Sequence, residues 1–421
     1  MTTNYDIIVF GCTGYAGKYV VEHLANPKND IEGVTWAVAA RNASKMAETL
    51  EMVGKWVDKD LSHVEQIIAD VSDEESLNAM CKRARVLINC VGPYNMYGEV
   101  VVKAAINNNC DHIDLSGEDL YLKSTMLNYH DLAKKSKSYI IEACGFDSAV
   151  CDMGIEFLTR SSPYLLNGIT CYLVPHCPSI EINYGTWHSL VNGVHDWRHI
   201  GELKEKLFPK KLPNYQHKLS KAPLKYHQSP HFNRWSIYVP AGDLEIARTT
   251  QYYKFSEEHK RPIQIEYYMC AERYRQIFGV MSTVSMVGAL GFFQKGRDLL
   301  LKYPGFFSFG TFHHEGPPRE TILNRTFEMY FEGEAFEAPS DYSDIENVPK
   351  AKPEKRVTAR VCGPDPGYIT CSTFLVQAAV SLVKDRKDLP TDGGVFTPAS
   401  ALANTKYIER LQKNGITFEM V

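Results

Sequence analysis

Hydrophobic positions fall into two regimes along the chain. In the first regime, six short apolar runs rich in β-branched side chains occupy 6–11, 34–41, 65–71, 85–92, 110–116 and 138–145. Between them, at 14–24, 44–50, 74–83, 98–108 and 120–136, apolar residues recur at helical spacing. Near-continuous apolar strands alternating with helices predict a doubly wound parallel α/β sheet, because helices cover both faces of such strands.

After Gly154 the pattern changes. Residues 168–190, 235–253, 320–332 and 354–362 read as longer strands carrying more polar side chains. They predict an α+β domain built on a mainly antiparallel sheet. Residues 333–353 are acidic and hold prolines 339, 349 and 353, which reads as a surface loop. Residues 374–385 have clear helical periodicity. The expected organisation is a Rossmann domain over 1–153, an α+β substrate or dimerisation domain over 154–370, and C-terminal helices over 371–421 that return to the first domain.

The motif joining the first strand to the first helix is Gly11-Cys12-Thr13-Gly14-Tyr15-Ala16-Gly17. Glycines at this spacing permit a tight turn and close backbone approach to a pyrophosphate. The helix N-terminus then offers unsatisfied N–H groups to the phosphates. The second strand ends Ala39-Ala40-Arg41-Asn42, followed by Ser44 and Lys45. A carboxylate there would bind the ribose 2′-hydroxyl of NAD; a guanidinium instead pairs with a 2′-phosphate. Arg41, supported by Ser44 or Lys45, therefore points to NADP(H) over NAD(H); the alternative is a solvated surface arginine. Asp70 and Val71, ending the third strand, are expected near the adenine.

The fourth strand ends Asn89-Cys90-Val91-Gly92-Pro93-Tyr94, small residues that suit a flat nicotinamide ring at a strand terminus. Ser116 and Gly117 extend that rim after the fifth strand. Tyr94, Glu118 and Asp147 are the candidate proton donors or acceptors, with Tyr97, Glu99, Asp114, Ser148 and Asp152 nearby in sequence. Helix capping competes with catalysis as the reading of Asp147 and Asp152.

Composition adds limits. The net charge of −4 over 421 residues gives no sign of a nucleic-acid partner. Eleven cysteines without a C-x-x-C pair read as free thiols in a reducing compartment. No basic region precedes the apolar run at residue 7, so no secretory signal is expected. His195 and His199 stand at i and i+4, but Asp196 replaces the glutamate of the zinc motif and no third ligand is evident, so no metal is expected.

Residues 277–293 carry no charge, with Arg273 and Arg275 before them and Lys295 and Arg297 after. At 17 residues the run is short for a span. A shallow helix in one lipid leaflet, extended by the aromatic stretch to 312, and a buried core helix or oligomer interface are both open readings. Residues 204–225 carry seven basic residues and Glu205, a solvated face or a contact for anionic headgroups.

Taken together, GCTGYAG (11–17), AARN-x-x-K (39–45), NCVGPY-x-x-YGE-x-VV-x-A (89–104), DLSGE (114–118), GFDS-x-x-x-D-x-G (145–154), YPGFFSFG (303–310), VQAA (376–379), LP-x-x-GGVFTPA (389–399) and RLQKNGITF (410–418) resemble the saccharopine dehydrogenase family. Val150 departs from the proline that relatives often carry after GFDS-x. The resemblance implies a Rossmann domain with an inserted α+β domain and an NADP(H)-dependent oxidoreductase activity. It also implies association with lipid droplets or the cytoplasmic face of a membrane, otherwise a cytoplasmic location. The family includes enoyl reductases of glycolipid biosynthesis, so a lipid-derived substrate is expected. A homodimer is a further expectation. The rival is a non-catalytic, cofactor-binding lipid-droplet scaffold.

Overall fold

The computed structural model describes residues 4–177, 181–219, 226–229, 232–239, 242–340 and 349–421, with side chains omitted at 195–199 and 226–229. The chain divides into two compact units, residues 1–146 with 367–415 and residues 147–366 with 416–421.

The first unit is the doubly wound sheet. Its elements are β1 (Tyr5–Phe10), α1 (Tyr15–Ala25), β2 (Trp36–Ala40), α2 (Ala43–Val57), β3 (Gln66–Ile68), α3 (Glu74–Cys81), β4 (Ala84–Asn89), α4 (Tyr94–Asn107), β5 (Asp111–Asp114), α5 (Asp119–Ser136) and β6 (Tyr139–Ile141). A seventh strand, Gly394–Phe396, lies beside β6, and the spatial order from it is β6, β5, β4, β1, β2, β3. Every pairing is parallel. Ile7, Ile8 and Val9 of β1 and Val86, Leu87 and Ile88 of β4 are fully buried, as central parallel strands require. Each such side chain contributes about 2 kcal/mol through burial.

Helix Cys371–Lys384 belongs to this unit. With the turn before it, it is the one helix among the described residues long and apolar enough to cross a membrane, and 83% of its apolar window is buried. Its polar residues have internal work. Thr373 and Gln377 hydrogen-bond His23, and Ser381 accepts from Arg410.

The second unit holds α6 (Ser148–Ser161) and a seven-stranded sheet. The long strand β7 (Tyr164–His176) pairs antiparallel with Thr326–Pro339 and parallel with Gln264–Ala271. The other pairings in this sheet are antiparallel, so the mixed sheet is mainly antiparallel.

Several expectations are corrected here. Of the stretch 168–190 read as strand, 168–176 lies in β7 and Ile182–Asn183 is extended, but Tyr184–Leu207 is helical. Asn183 caps it by accepting from the Gly185 amide at 3.0 Å, and Trp187 and Val191 enter an apolar cluster with Val287, Leu300 and Phe312. Residues 247–253, read as strand, lie in helix Asp243–Ser256. Leu244, Ala247 and Phe255 are buried, but the face it turns to α6 is polar. Asp243, Thr250 and Lys254 meet Ser148, Asp152 and Glu156 of α6, so no apolar period marks it. The acidic loop expected from 333 begins later, because the strand runs to Pro339 and buries Ala335 and Phe336; residues 341–348 lie outside the described residues. Residues 319–323 form a short helix before that strand. Strands Gln264–Ala271 and Thr417–Met420 were not anticipated, and the latter assigns the chain end to the second unit.

Candidate functional site: a dinucleotide cradle

Strand β1 ends at Phe10, and Gly11 turns the chain with φ of +85°, a conformation glycine adopts without strain. The turn is pinned on both sides. The Gly11 amide donates to the Ala39 carbonyl at 2.8 Å, and the Cys90 amide donates to the Phe10 carbonyl at 2.8 Å. A Cβ on Gly17 would stand 2.3 Å from the Gly11 carbonyl oxygen, and one on Gly11 would stand 2.7 Å from Val91 Cγ2. The helix thus packs directly on its own loop. Gly14 occupies the cap position of α1, and no side chain caps the first turn. Leading amides with no intrahelical acceptor suit phosphate oxygens. Thr13 is half-buried beside the exposed Gly14, while Tyr15 stacks edge-on against Tyr368 at 4.7 Å. The cradle fits a pyrophosphate.

Arg41 follows β2 and is exposed; no ion pair involves it among the described residues. Asn42, which sequence reasoning passed over, caps α2 by accepting from the Lys45 amide at 3.0 Å. Ser44 Oγ donates to Glu48 at 3.3 Å, while the Lys45 side chain is exposed. Asp70 accepts from the Ser72 hydroxyl at 2.6 Å and amide at 2.9 Å. These bonds, with a smaller contribution from the Arg41 charge, hold its carboxyl below the usual range. Arg41 and Asp70 are therefore neighbours at the ends of β2 and β3. Val71 is half-buried at the same edge.

At the end of β4, Asn89 Oδ1 accepts from the Val91 amide at 3.0 Å, folding the Cys90–Pro93 turn back on itself. The Tyr94 hydroxyl donates to the Asn89 carbonyl at 2.9 Å. Burial pushes that phenol well above its ordinary value, so it holds its proton in this place. Glu118 is buried, and its two oxygens accept from the Tyr94 and Asn95 amides at 2.9 and 2.8 Å. In return, Asn95 Oδ1 accepts from the Tyr121 amide at 2.9 Å. The N-termini of α4 and α5 cap one another. Tyr94 and Glu118, candidates for proton transfer, thus hold the turn that carries Gly92 and Pro93. Glu99 accepts from the Tyr129 hydroxyl at 2.7 Å, and Tyr97 is half-buried.

Asp114 is fully buried and in register with Asn89. It accepts from the Ser116 amide and hydroxyl, the Ala143 amide and the Tyr121 hydroxyl. Gly117 is exposed, and a Cβ there meets no atom within 4 Å. Gly14, Gly92 and Gly117 are exposed after β1, β4 and β5 respectively. The carboxyl edge of the sheet is thus lined by bare backbone, which lets a flat ligand approach closely.

Asp147 and its neighbours belong to the second unit. Asp147 sits at φ 71°, ψ −78°, a strained conformation for a residue with a side chain, and makes no capping bond with its carboxyl. The residue is exposed, yet the protein crowded around its carboxyl pushes the pKa up to about 6 by desolvation. Ser148 Oγ donates to Asp243 Oδ1 at 3.0 Å. Burial, reinforced by the Asp147 charge, drives Asp243 well above the carboxylate range, against hydrogen bonds from Tyr267 and Ser148. Asp152 is buried in α6 and accepts from Thr250 at 2.9 Å, so it is no cap. Asp243 had no signal in the sequence, because only the fold brings it to Ser148.

All eleven cysteines are free. Among the described residues no three His, Cys, Asp or Glu side chains form a metal-holding group. The side chains of His195 and His199 lie outside the described residues.

Comparison with known proteins places this geometry in a lineage. Residues 7–141 match the family described as saccharopine dehydrogenase NADP binding domain, and the cofactor is NADP(H). A saccharopine dehydrogenase-like oxidoreductase of Homo sapiens is 34% identical over 99% of this chain and 97% of its own. A lipid droplet localized protein of Caenorhabditis elegans is 32% identical over 99% of this chain and 98% of its own. Among solved structures, an apo saccharopine dehydrogenase (L-Glu forming) from Saccharomyces cerevisiae covers 99% of this chain and all of its own, with a TM-score of 0.51 at 12% identity, a likeness of fold alone. The cradle, the basic second-strand end and full-length similarity agree: this chain belongs to the saccharopine dehydrogenase-like oxidoreductases.

Proposed function

We propose that the protein transfers hydride between NADP(H) and a lipid-derived substrate while associated with a lipid droplet or the cytoplasmic face of a membrane. The observation that carries this reading is the uncapped first turn of α1 against the glycine loop, with Arg41 where NAD enzymes carry a carboxylate. Gly11, Thr13, Gly14, Tyr15 and Gly17 would hold the pyrophosphate, and Arg41, Ser44 and Lys45 the 2′-phosphate. Asp70 and Val71 would lie along the adenosine. Cys90 to Tyr94, Ser116 and Gly117 would border the nicotinamide, with Tyr94 and Glu118 fixing the turn.

Bound NADPH supplies a hydride. The chain must then deliver or accept a proton. Asp147 suits that task, because its pKa, raised to about 6, keeps the carboxyl partly protonated in weakly acidic solution. NADPH consumption with lipid enoyl and imine substrates, as a function of pH, tests the reading. Activity should decline above about pH 6 and disappear in Asp147→Asn, while NADPH binding persists.

One observation favours a second reading, a non-catalytic cofactor-binding scaffold. Tyr94 and Glu118, the two candidate groups of the first unit, are already engaged in holding backbone. NADPH binding without turnover on any such substrate selects the scaffold.

A further inference from the structure

Helix Tyr274–Gly291 has two unlike faces. On one, Ile277 and Val287 are buried, and Val287 packs with Trp187, Leu300 and Phe312. On the other, Phe278 is 62% exposed, and Met281 and Val284 are exposed at helical spacing beside it. One face of the helix is part of a core, and its outer stripe is apolar as well.

The stripe does not end with the helix. Phe293 is 69% exposed, Phe306 78% and Phe309 65%. Thr283 Oγ1 donates to the Phe307 carbonyl at 3.3 Å, fixing the 304–309 turn beside the helix. Water-facing aromatic rings on a helix and on the turn bonded to it mark a contact with something apolar.

Charge identifies that something. Between 273 and 310 there are five basic residues and one acid, Asp298, in a chain that is acidic overall. Asp298 already accepts from Gln294 at 2.9 Å. The exposed Arg273 and Arg275 precede Phe278, and the exposed Lys295 and Lys302 stand between Phe293 and Phe306. A second copy of the chain on this surface would bring like charges together. Anionic headgroups around an apolar interior match both features.

From this we infer that the Phe278–Phe309 surface inserts its aromatic rings into one phospholipid leaflet while the neighbouring cations bind anionic headgroups. The inference rests on the lipid-surface part of the reading above. Hydride transfer is not needed for it, so vesicle binding and NADPH turnover fail separately.

The test is flotation of the full-length protein with vesicles of phosphatidylcholine, with and without phosphatidylserine. The unaltered protein should float with both and bind the anionic vesicles at least tenfold more tightly. Phe278→Glu with Phe306→Glu should lose at least tenfold on both. Arg275→Glu with Lys295→Glu should lose only the gain from phosphatidylserine, about fivefold per charge. As a check independent of folding losses, the emission of the Phe306→Trp variant should shift to the blue on adding anionic vesicles. Binding by the aromatic variant equal to the unaltered protein, an unshifted emission spectrum in Phe306→Trp, or no flotation of the unaltered protein would each overturn the inference. So would a dimer that the aromatic variant dissociates while neither protein floats.

Discussion

The Glu118 carboxylate accepts the backbone amide of Tyr94 at 2.9 Å, a bond between residues 24 positions apart. Its other oxygen takes the Asn95 amide, so one buried side chain satisfies two leading donors of α4. Hydrogen bonds to a charged group are worth about 2 kcal/mol each, and leaving the amides bare adds to the loss. Glu118→Ala should therefore lower the melting temperature of the first unit and weaken NADPH binding through the displaced Gly92–Pro93 turn. A melting curve unchanged from the parent would show that Glu118 is not a structural group.

The glycines of the cradle are not equivalent. Gly17→Ala forces a methyl against backbone at 2.3 Å, with no flexible side chain to yield. NADPH affinity should fall at least about tenfold, ~1.4 kcal/mol. Gly117→Ala meets nothing in the protein, so its stability should match the parent. Any affinity that Gly117→Ala loses in a calorimetric titration reports contact with the dinucleotide itself. Full affinity in Gly17→Ala would contradict the packing of helix on loop.

The ionisation of Asp147 carries a signed consequence for stability. Its pKa is raised from 3.8 to about 6, so the folded state holds the proton more tightly than the unfolded chain. The stability this contributes is present in full below about pH 4 and is lost as pH rises through about 6. Asp243 shifts in the same direction. Thermal melts between pH 4 and 7 should show stability falling with pH across that window, with a shallower slope in Asp147→Asn. An identical slope in the variant would remove Asp147 from the account.

The polar seam between α6 and helix Asp243–Ser256 ends in a buried pair, Lys254 with Glu156, which Arg160 also contacts. Burial pushes Glu156 upward, but the two cations outweigh it and hold its carboxyl below the ordinary value. Removing Lys254 leaves the buried Glu156 with Arg160 alone, a loss of up to about 3–5 kcal/mol. Lys254→Met should destabilise the second unit by that order in urea unfolding, and adding Glu156→Gln should recover part of it. Additive losses in the double variant would mean the two residues are not coupled.

Which parts of the fold were legible follows from where the information lies. The glycine loop, Arg41 and the strand ends are local signals: each needs only neighbours in sequence, and each stands where its motif requires. Helix Asp243–Ser256 was misread as strand because the face it turns to α6 is polar. Asp243 answers to Ser148, 95 positions earlier, and no local pattern encodes that pairing. Glu118 was noticed as a carboxylate, but its role depends on amides of another helix. The segment 277–293 remained ambiguous because one helix buries one face and exposes another apolar one, and composition alone does not separate the two.

Arg41 is the most direct point of test. It stands exposed beside Asp70 at the end of β2, where NAD enzymes carry a carboxylate. Titrating NADPH and NADH into the protein and into Arg41→Asp decides the matter. The parent should bind NADPH at least tenfold more tightly, and the variant should reverse the order. Equal affinities in the parent, or a preference for NADPH that survives in Arg41→Asp, would contradict the account.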